Sequence, residues 1–394
     1  MDMLRTTVEN KKLTVYLSGS LDGTNAAEIG RRLDSLCGGG EVTSVLFDCD
    51  GLTYCSSVGL RMILHIKKML KDTVIDNAHT EFYETLELTG FTDMMEVHRA
   101  YRTLSVDGCQ LMGQGANSFV YRVDSDTVVK VYKNENALED IRREQELSRK
   151  AFVAGLPTAI PYDIVRVAGG GYGSVFELLN SQNLAQLLIS GEKSVDEVAS
   201  LCADLLKLIH AKTDESCILP DIKAKAFGKI AFLRKYLPFE VYQKLVSLIE
   251  SLPTDLHILH GDFNPKNIIL ENGECLLIDM DTLGHGHPIF ELMALYNVYV
   301  GFGALDRDYM EKFTGIPYAM GVELWRKILA LYLDTDEEER LQAVETKARV
   351  LGLAKIMHRE IRRGGFAAED KRKLIEYCAS ELAQWLPKID TLEF

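Results

Sequence analysis

The sequence predicts a small α/β domain over residues 1–103, followed by a larger α+β domain over residues 104–394. The first part alternates short apolar strands with amphipathic helices, which is typical of an α/β unit. The second part opens with glycine-containing strands and closes with long stretches of helical periodicity. A chain of 394 residues also exceeds the roughly 150 residues of a typical domain, so we expect more than one core.

Apolar periodicity predicts the elements of the first domain. Alternating apolar residues predict a half-buried strand, and the next apolar residues recur at helical spacing: Leu13, Val15 and Leu17, then Ala26, Ile29, Leu33 and Leu36. The continuous run 45–47 predicts a central strand that is covered on both faces and ends at Asp48. A helix from near Ser57, a short strand around 74–75 and two helices around Gly90, within 82–95, complete the prediction.

The segment CSSVGL, from Cys55 to Leu60, lies at the start of the predicted second helix. With the α/β pattern around it, this segment resembles the signature of the STAS fold of anti-sigma factor antagonists. In that family a serine or threonine that opens the helix accepts a phosphate from a partner kinase. The resemblance therefore implies Ser57 as a candidate phosphoacceptor and a protein partner for this domain. Ser56 stands where the family usually has an acidic residue, and the serine pair is also a good helix N-cap.

Composition excludes several classes of protein. Hydrophobic residues make up 47% and charged residues 26% of the chain, which is typical of a packed globular protein. A formal charge of −14 disfavours nucleic acid as a partner. Neither a signal segment nor a membrane-spanning run of about 18 apolar residues is present, so we expect a cytoplasmic, bacterial-type protein without a membrane partner. The eight cysteines show neither CxxC pairs nor zinc-site spacing and are expected to be reduced and mostly buried.

A glycine-containing segment opens the second domain. The chain reads CQLMGQGANSFVYRV from position 109 and continues into VVKVY, which predicts two strands joined by a tip and a third strand that carries Lys130. Gly113 and Gly115 would let the backbone approach phosphate groups, whose charge Lys130 would neutralise. A plain tight turn is the alternative interpretation. Ser118 stands where protein kinases have a third glycine.

A helix is predicted over residues 137–154, with Glu144 and Glu146 on it. In kinase-like folds a glutamate on this helix pairs with the strand lysine, and the sequence context favours Glu144. A solvent-facing carboxylate is the alternative. The later strand 173–179 would supply, through Phe176, Glu177 and Leu178, the backbone groups that read adenine, unless it is simply an edge strand.

The strongest pattern is HGDFNPKNIIL from position 260, followed by ENGE and CLLIDMD. Asn272 and Gly273 between apolar runs predict a two-residue hairpin with a type I′ turn. That turn sets position 267 opposite position 278, so Asn267 and Asp279 are expected side by side. An amide oxygen and a carboxylate are ligands suited to Mg²⁺.

Asp262 precedes Asn267 by five positions on the same loop and is therefore placed to accept the proton of an attacking hydroxyl group. An Asx-turn is the simpler interpretation of an isolated Asp and Asn at this spacing. The additional lysine, hairpin and second aspartate in the expected order favour the catalytic interpretation.

HGDFNPKN with IDMD resembles the phosphotransferase signature shared by aminoglycoside phosphotransferases, choline kinases and their relatives. The resemblance covers the second domain and implies a bilobal protein-kinase-like fold, with a small β-rich lobe over 104–178 and a larger helical lobe over 179–394.

The same resemblance implies ATP and Mg²⁺ as cofactors and assigns the site residues. Asp262 would be the catalytic base, Asn267 and Asp279 the Mg²⁺ ligands, and Lys130 the contact to the nucleotide phosphates, with Glu144 as its partner.

Four further residues near this motif have defined expectations. His260 is expected to orient the loop through hydrogen bonds, in preference to direct proton transfer. Asp281 would assist with the metal or substrate, or is a surface carboxylate. In GHPIFEL, His287 replaces the first aspartate of a family segment that usually reads Gly-Asp-Pro, whereas Glu291 keeps the second acid.

Three functions are compatible with these patterns. The first is O-phosphorylation of a small molecule such as an aminoglycoside, a choline-like amine or a sugar, with the STAS-like domain as a regulatory or interaction module. The second is a regulatory kinase for which Ser57 is the phosphoacceptor, in cis or from another kinase. The third is a nucleotide-holding pseudokinase that acts on a partner through the STAS-like domain, although the kinase residues are all present.

Overall fold

The computed structural model describes residues 3–115, 117–134, 137–304 and 307–394. The chain forms two compact units, one of Met1–Ser105 with Ile164–Gly170 and one of Val106–Asp163 with Gly171–Phe394. The return of a later segment to the first unit was not expected from the sequence.

The first unit is an α/β structure around a five-stranded sheet of order β1-β2-β3-β4-β5. The β1–β2 pair is antiparallel and the other pairs are parallel. Its elements are β1 (Leu4–Glu9), β2 (Lys12–Leu21), α1 (Ala26–Cys37), β3 (Ser44–Cys55), α2 (Ser57–Met69), β4 (Asp72–Ala78), α3 (Thr80–Leu88), α4 (Phe91–Met94), β5 (Glu96–Arg99) and β6 (Thr103–Leu104). The short β6 pairs in parallel with Arg166 and Val167.

Most elements predicted for this unit are confirmed. Leu13, Val15 and Leu17 are buried on β2, and Gly90 separates α3 from α4 with φ +76°. Two predicted details were wrong. The first lies in α1, where Leu36 is exposed and Cys37 takes the buried position of the last turn.

The central strand also extends beyond its predicted end at Asp48. β3 continues to Cys55 because its pairing with β2 resumes after two irregularities and reaches the end of both strands. A neighbouring strand thus holds a segment that its own sequence does not mark as extended.

The second unit begins with a β-rich part that contains β7 (Gln110–Gln114), β8 (Ser118–Arg122), β9 (Thr127–Tyr132), α5 (Leu138–Val153), the first residues of β10 (Pro161–Val167) and β11 (Tyr172–Glu177). The remainder of β10, from Ile164, belongs to the first unit. Strands β11, β9, β8 and β7 are consecutive and antiparallel neighbours in one sheet. Lys130 therefore lies on a central strand, between Ser174 of β11 and Val120 of β8.

The remainder is mainly helical. It contains α6 (Leu184–Ser190), α7 (Val195–His210), α8 (Ile222–Leu233), α9 (Phe239–Glu250), β12 (Ile258–Leu259), β13 (Ile268–Glu271), β14 (Glu274–Leu277), β15 (Gly284–His285), α10 (Ile289–Tyr296), α11 (Arg307–Thr314), α12 (Tyr318–Leu333), α13 (Glu338–Arg362) and α14 (Glu369–Trp385). Phe263, Tyr299 and Trp325 are the largest of its fully buried side chains.

Each unit has its own hydrophobic core. The eight cysteines are free thiols, as expected, although only four are fully buried and Cys217 is exposed. No helix in the described parts of the chain combines the length and apolar character needed to cross a bilayer.

Candidate active site

A hairpin and the loop before it form the centre of the site. Asn272 and Gly273 have φ of +52° and +86°, as a type I′ turn requires, and Ile269 lies opposite Leu276. The predicted register is thereby confirmed, and the N–H of Ile278 donates to the carbonyl of Asn267 at 3.0 Å. The hairpin brings the loop before β13 and the segment after β14 to the same end.

The loop conformation requires glycine at position 261. Gly261 has φ +84°, and a Cβ there would lie 2.6 Å from the carbonyl oxygen of Thr282. The hydroxyl of Thr282 in turn donates to the carbonyl of His260 at 2.9 Å. The close approach fixes the position of the next residue, Asp262.

Asp262 lies against Asn267, as the spacing predicted. The amide nitrogen of Asn267 donates to the Asp262 carbonyl at 3.0 Å and to its carboxylate Oδ2 at 3.3 Å. Burial raises the pKa of the Asp262 carboxyl to about 6, and His260 and Lys355 counteract part of that shift. A carboxylate with a pKa in this range can accept a proton near neutral pH.

His260 contacts the loop through hydrogen bonds, as the sequence predicted. Its ring is fully buried, its Nε2 lies 3.1 Å from the carbonyl of Ile278, and its Nδ1 accepts from the N–H of Asp262 at 3.3 Å. Glu291, also fully buried, accepts from the N–H of His260 at 2.5 Å and of Gly261 at 3.0 Å. The acid that follows the proline of GHPIFEL thus holds the backbone of the loop that carries Asp262.

The ring of His287, which replaces the usual aspartate of that segment, contacts the start of α10 and Phe394. Its Nδ1 accepts from the N–H of Ile289 at 3.2 Å, and its ring packs edge-on against Phe394. It therefore stabilises the first turn of α10.

Lys130 connects the β-rich part of the unit to the hairpin. Its ammonium lies 2.7 Å from the carboxylate of Glu144 and 2.6 Å from that of Asp279. The two carboxylates outweigh the effect of burial and raise the pKa of Lys130, which keeps it charged. Glu144 is buried, whereas Glu146 is exposed and pairs with Lys150, so the choice of Glu144 as the partner of Lys130 is confirmed.

A cavity of about 430 Å³ surrounds this ion network. Lys130, Glu144, Asn267 and Asp279 line it together. Its volume lies in the range of small-molecule and cofactor sites.

The remaining residues proposed for the nucleotide also line this cavity: Gly113, Gly115, Phe176, Glu177 and Leu178. The tip residue Ala116 lies outside the described residues. The N–H groups of Glu177 and Leu178 already donate to the carbonyls of Ile160 and Asp126. Recognition of a base here would therefore use other groups of this strand or of Leu179, which follows it in the cavity wall.

Asn267 and Asp279 have the chemistry of a magnesium site. Because the amide nitrogen of Asn267 faces Asp262, its amide oxygen is the atom that could ligate a cation. Asp279 has φ +68°, a left-handed conformation that is uncommon for a residue with a side chain, and its carboxylate already contacts a cation, the ammonium of Lys130. An amide and a carboxylate oxygen fit Mg²⁺, which takes few protein ligands and completes its shell with water and phosphate oxygens.

Four cationic residues were missed by sequence reasoning. Arg143, Lys225, Lys229 and Lys355 line a second cavity, of about 420 Å³, together with Gly261 of the catalytic loop. Only the spacing of Lys225 and Lys229, which places both on one helix face, could have indicated this cluster of cations from the sequence. Asp281 is exposed and lines the same cavity. Ser57 is exposed at the start of α2 in the other unit.

Comparison with solved structures finds similarity to known kinases. An aminoglycoside phosphotransferase, APH(2″)-IIa in complex with streptomycin and ATP, is 19% identical, with 70% of this chain and 90% of that chain covered and a TM-score of 0.46. A thermostable mutant of APH(4)-Ia is 16% identical over 71% and 94%, with a TM-score of 0.49. A choline/ethanolamine kinase family protein from Mesorhizobium loti is 12% identical over 72% and 89%, with a TM-score of 0.47. No curated protein sequence matches the chain.

Two family models match the sequence itself. The model of the STAS domain matches residues 4–105, and the model of the phosphotransferase enzyme family matches residues 109–331. The second match covers more than half of the chain and contains Lys130, Asp262, Asn267 and Asp279. The chain therefore belongs to the phosphotransferase enzyme family and is a kinase-type phosphotransferase that carries a STAS domain at its N-terminal side.

Proposed function

We propose that the protein transfers the γ-phosphoryl group of ATP to a hydroxyl group of a small molecule. The observation that carries this proposal is the convergence of Lys130, Asn267 and Asp279 on one cavity, with Asp262 hydrogen-bonded to Asn267. Groups from distant parts of the chain thus line one site with charged and polar side chains, as phosphoryl transfer requires.

In the proposed reaction Asp262 accepts the proton of the acceptor hydroxyl group. A new bond forms between the acceptor oxygen and the γ-phosphorus, and the bond from the γ-phosphorus to the bridging oxygen breaks, which releases ADP. Lys130, held by Glu144, contacts the nucleotide phosphates. Asn267 and Asp279 would hold Mg²⁺, which supplies neutralisation of phosphate charge when bound.

The acceptor classes suggested by the sequence are aminoglycosides, choline-like amines and sugars. Steady-state ADP release with a panel of all three tests the proposal, with Asp262→Asn as the control. We expect turnover of at least one acceptor and a loss of about 10²- to 10⁴-fold in the variant, the usual contribution of a general base. Wild type as inert as the variant on every acceptor would contradict the proposal.

Calorimetry separates this activity from that of a pseudokinase. Tight ATP binding by the wild type without ADP release would favour a nucleotide-holding regulator instead. The Asp262→Asn variant should bind ATP as the wild type does, because Asp262 does not line the nucleotide cavity.

A second candidate function concerns the STAS domain, which we propose acts as a regulatory or protein-binding module. Ser56 caps α2 by accepting from the N–H of Gly59 at 3.4 Å, so the exposed Ser57 is not the capping residue. A phosphate at Ser57 would add nearly two negative charges at a helix N-terminus. Mass spectrometry after incubation with ATP tests the cis reaction, and an unmodified Ser57 peptide would exclude it.

A further inference from the structure

The second cavity adjoins the catalytic loop. Gly261, next to Asp262 in the chain, forms part of its wall, and so do Asp281 and Thr282 from the segment that follows the proposed metal ligand. The rest of the wall comes mainly from apolar residues of the helical part, among them Ile222, Phe290 and others of α8, α10 and α13. A molecule in this cavity would therefore lie beside the loop that carries the proposed base.

The charged residues of this wall are predominantly cationic. Arg143 comes from α5, Lys225 and Lys229 from α8, and Lys355 from α13, so four cations from three helices face one space. The chain as a whole has a formal charge of −14, which makes a local excess of positive charge unexpected. Such a concentration of one charge sign in a cleft attracts ligands of the opposite sign.

Few acids offset these cations. Of the two carboxylates in the wall, that of Glu291 is occupied by the backbone N–H groups of His260 and Gly261. Asp281 supplies the second carboxylate of the wall. Outside the wall, Arg143 pairs at 3.1 Å with Asp140, an exposed contact that is worth little. The cavity thus keeps a net positive charge.

The lysines also disfavour one another's charged forms. Burial lowers the pKa of Lys225, Lys229 and Lys355, and repulsion from Lys229 lowers that of Lys225 and of Lys355 further. An anion placed among them would relieve both effects, because a nearby opposite charge favours the charged form of each lysine. Attraction between Lys355 and Asp262 connects this cluster to the proposed base.

We propose that this cavity is the acceptor site and that the acceptor is a hydroxylated organic anion, a carboxylate or a phosphate monoester, with a carbon skeleton that packs on the apolar wall. This inference rests on the proposed function and narrows its acceptor. The charge of the wall disfavours the aminoglycosides and choline-like amines, which are cations, and leaves acidic sugars among the suggested classes.

Binding of four probes that share one carbon skeleton tests the inference: glucose, glucosamine, gluconate and glucose 6-phosphate. Calorimetry would use the full chain with Mg²⁺ and a non-hydrolysable ATP analogue. We expect at least one anion to bind about tenfold or more tightly than glucose, a difference of about 1.4 kcal/mol, and glucosamine to bind more weakly than glucose. The anion that binds more tightly, gluconate or glucose 6-phosphate, shows whether the site prefers a carboxylate or a phosphate group. Equal affinity for all four probes, or measurable binding by neither anion, would overturn the inference.

Removal of the lysines provides a matched comparison. The double variant Lys225→Ala/Lys229→Ala should lose about tenfold in affinity for the better anion and keep its affinity for glucose and for the nucleotide. The double variant Arg234→Ala/Lys235→Ala removes an equal charge from two exposed positions just beyond α8 that do not line the cavity, and it should leave every affinity unchanged. An unchanged affinity of the double variant for the anion would contradict the assignment.

Turnover of the same probes separates the inference from the proposed function. Anion binding that depends on Lys225 and Lys229, without ADP release by the wild type, would retain the anion site and overturn the phosphotransferase proposal. Turnover of glucose or glucosamine in preference to both anions would retain the phosphotransferase and overturn the anionic acceptor.

Discussion

Lys130 depends on Glu144 for its position, since the glutamate is buried and approaches the ammonium at 2.7 Å. The lysine also contacts Asp279, so it links the β-rich part of the unit to the hairpin through two carboxylates. A buried carboxylate in such a pair is difficult to replace, because its loss leaves the remaining charges less compensated.

Glu144→Gln is therefore expected to lower kcat/KM for ATP by about 10- to 100-fold, since even a small displacement of a positioned group is costly in catalysis. Glu146→Gln is the matched control on the same helix. Glu146 is exposed and pairs only at the surface with Lys150, so its replacement should change kcat/KM little. Steady-state kinetics at varied ATP would measure both, and an equal loss in the two variants would contradict the assigned roles.

The hairpin of β13 and β14 is the element that brings the proposed metal ligands together. Its two turn residues have positive φ, which Gly273 adopts without cost and which Asn272 tolerates better than most residues. Turn chemistry at these two positions thus determines the register of Asn267 and Asp279.

Gly273→Ala is expected to lower the free energy of unfolding by about 1 kcal/mol or more, because a Cβ is disfavoured at φ +86°. The surroundings of Gly273 are open, so backbone strain and not a clash would cause the loss. Asn272→Gly serves as the control and should change stability little, since glycine also accepts its φ of +52°. Urea unfolding measures both. Equal stability of the alanine variant and the wild type would argue against the strain.

Local patterns in the sequence were sufficient to predict this hairpin and the helices α1, α2 and α5. Turn residues, caps and apolar spacing act within a few positions of one another, so each element could be predicted from its own segment. The continuation of β3 to Cys55 could not, because its pairing with β2 supports it. The strands β1 and β5 at the sheet edges were missed for a related reason, since many of their side chains remain exposed and show little apolar alternation.

In the candidate active site, too, some contacts could be predicted from the sequence and others depend on packing between distant segments. Asp262 and Asn267 lie five positions apart, so motif spacing predicted their contact. The likeness to kinase-like folds predicted the pair of Lys130 and Glu144, which lies on the next element. The cations of the second cavity come from positions as distant as 143 and 355. Packing of the helices brings them together, and no local pattern records that arrangement.

At the scale of the whole molecule, the two units have separate hydrophobic cores. A ligand that binds only one native unit stabilises that unit in proportion to the logarithm of its concentration over Kd. Because residues of the second unit line the cavity proposed for the nucleotide, nucleotide binding should stabilise that unit directly.

Differential scanning calorimetry of the full chain should therefore show an upward shift of the transition of the second unit with ATP and Mg²⁺. At a ligand concentration of 100 times Kd the gain is about 2.7 kcal/mol. Chelation of Mg²⁺ by EDTA should reduce this shift, because Asn267 and Asp279 would then lack the cation that joins them to the phosphates. A shift that is unaffected by EDTA would argue against the metal assignment.

The most direct test of the account is a crystal structure of the full chain with Mg²⁺ and a non-hydrolysable ATP analogue. We expect a cation bound by the amide oxygen of Asn267 and the carboxylate of Asp279, with Lys130 in contact with the nucleotide phosphates. A nucleotide bound outside this cavity, or a cation that contacts neither Asn267 nor Asp279, would contradict it.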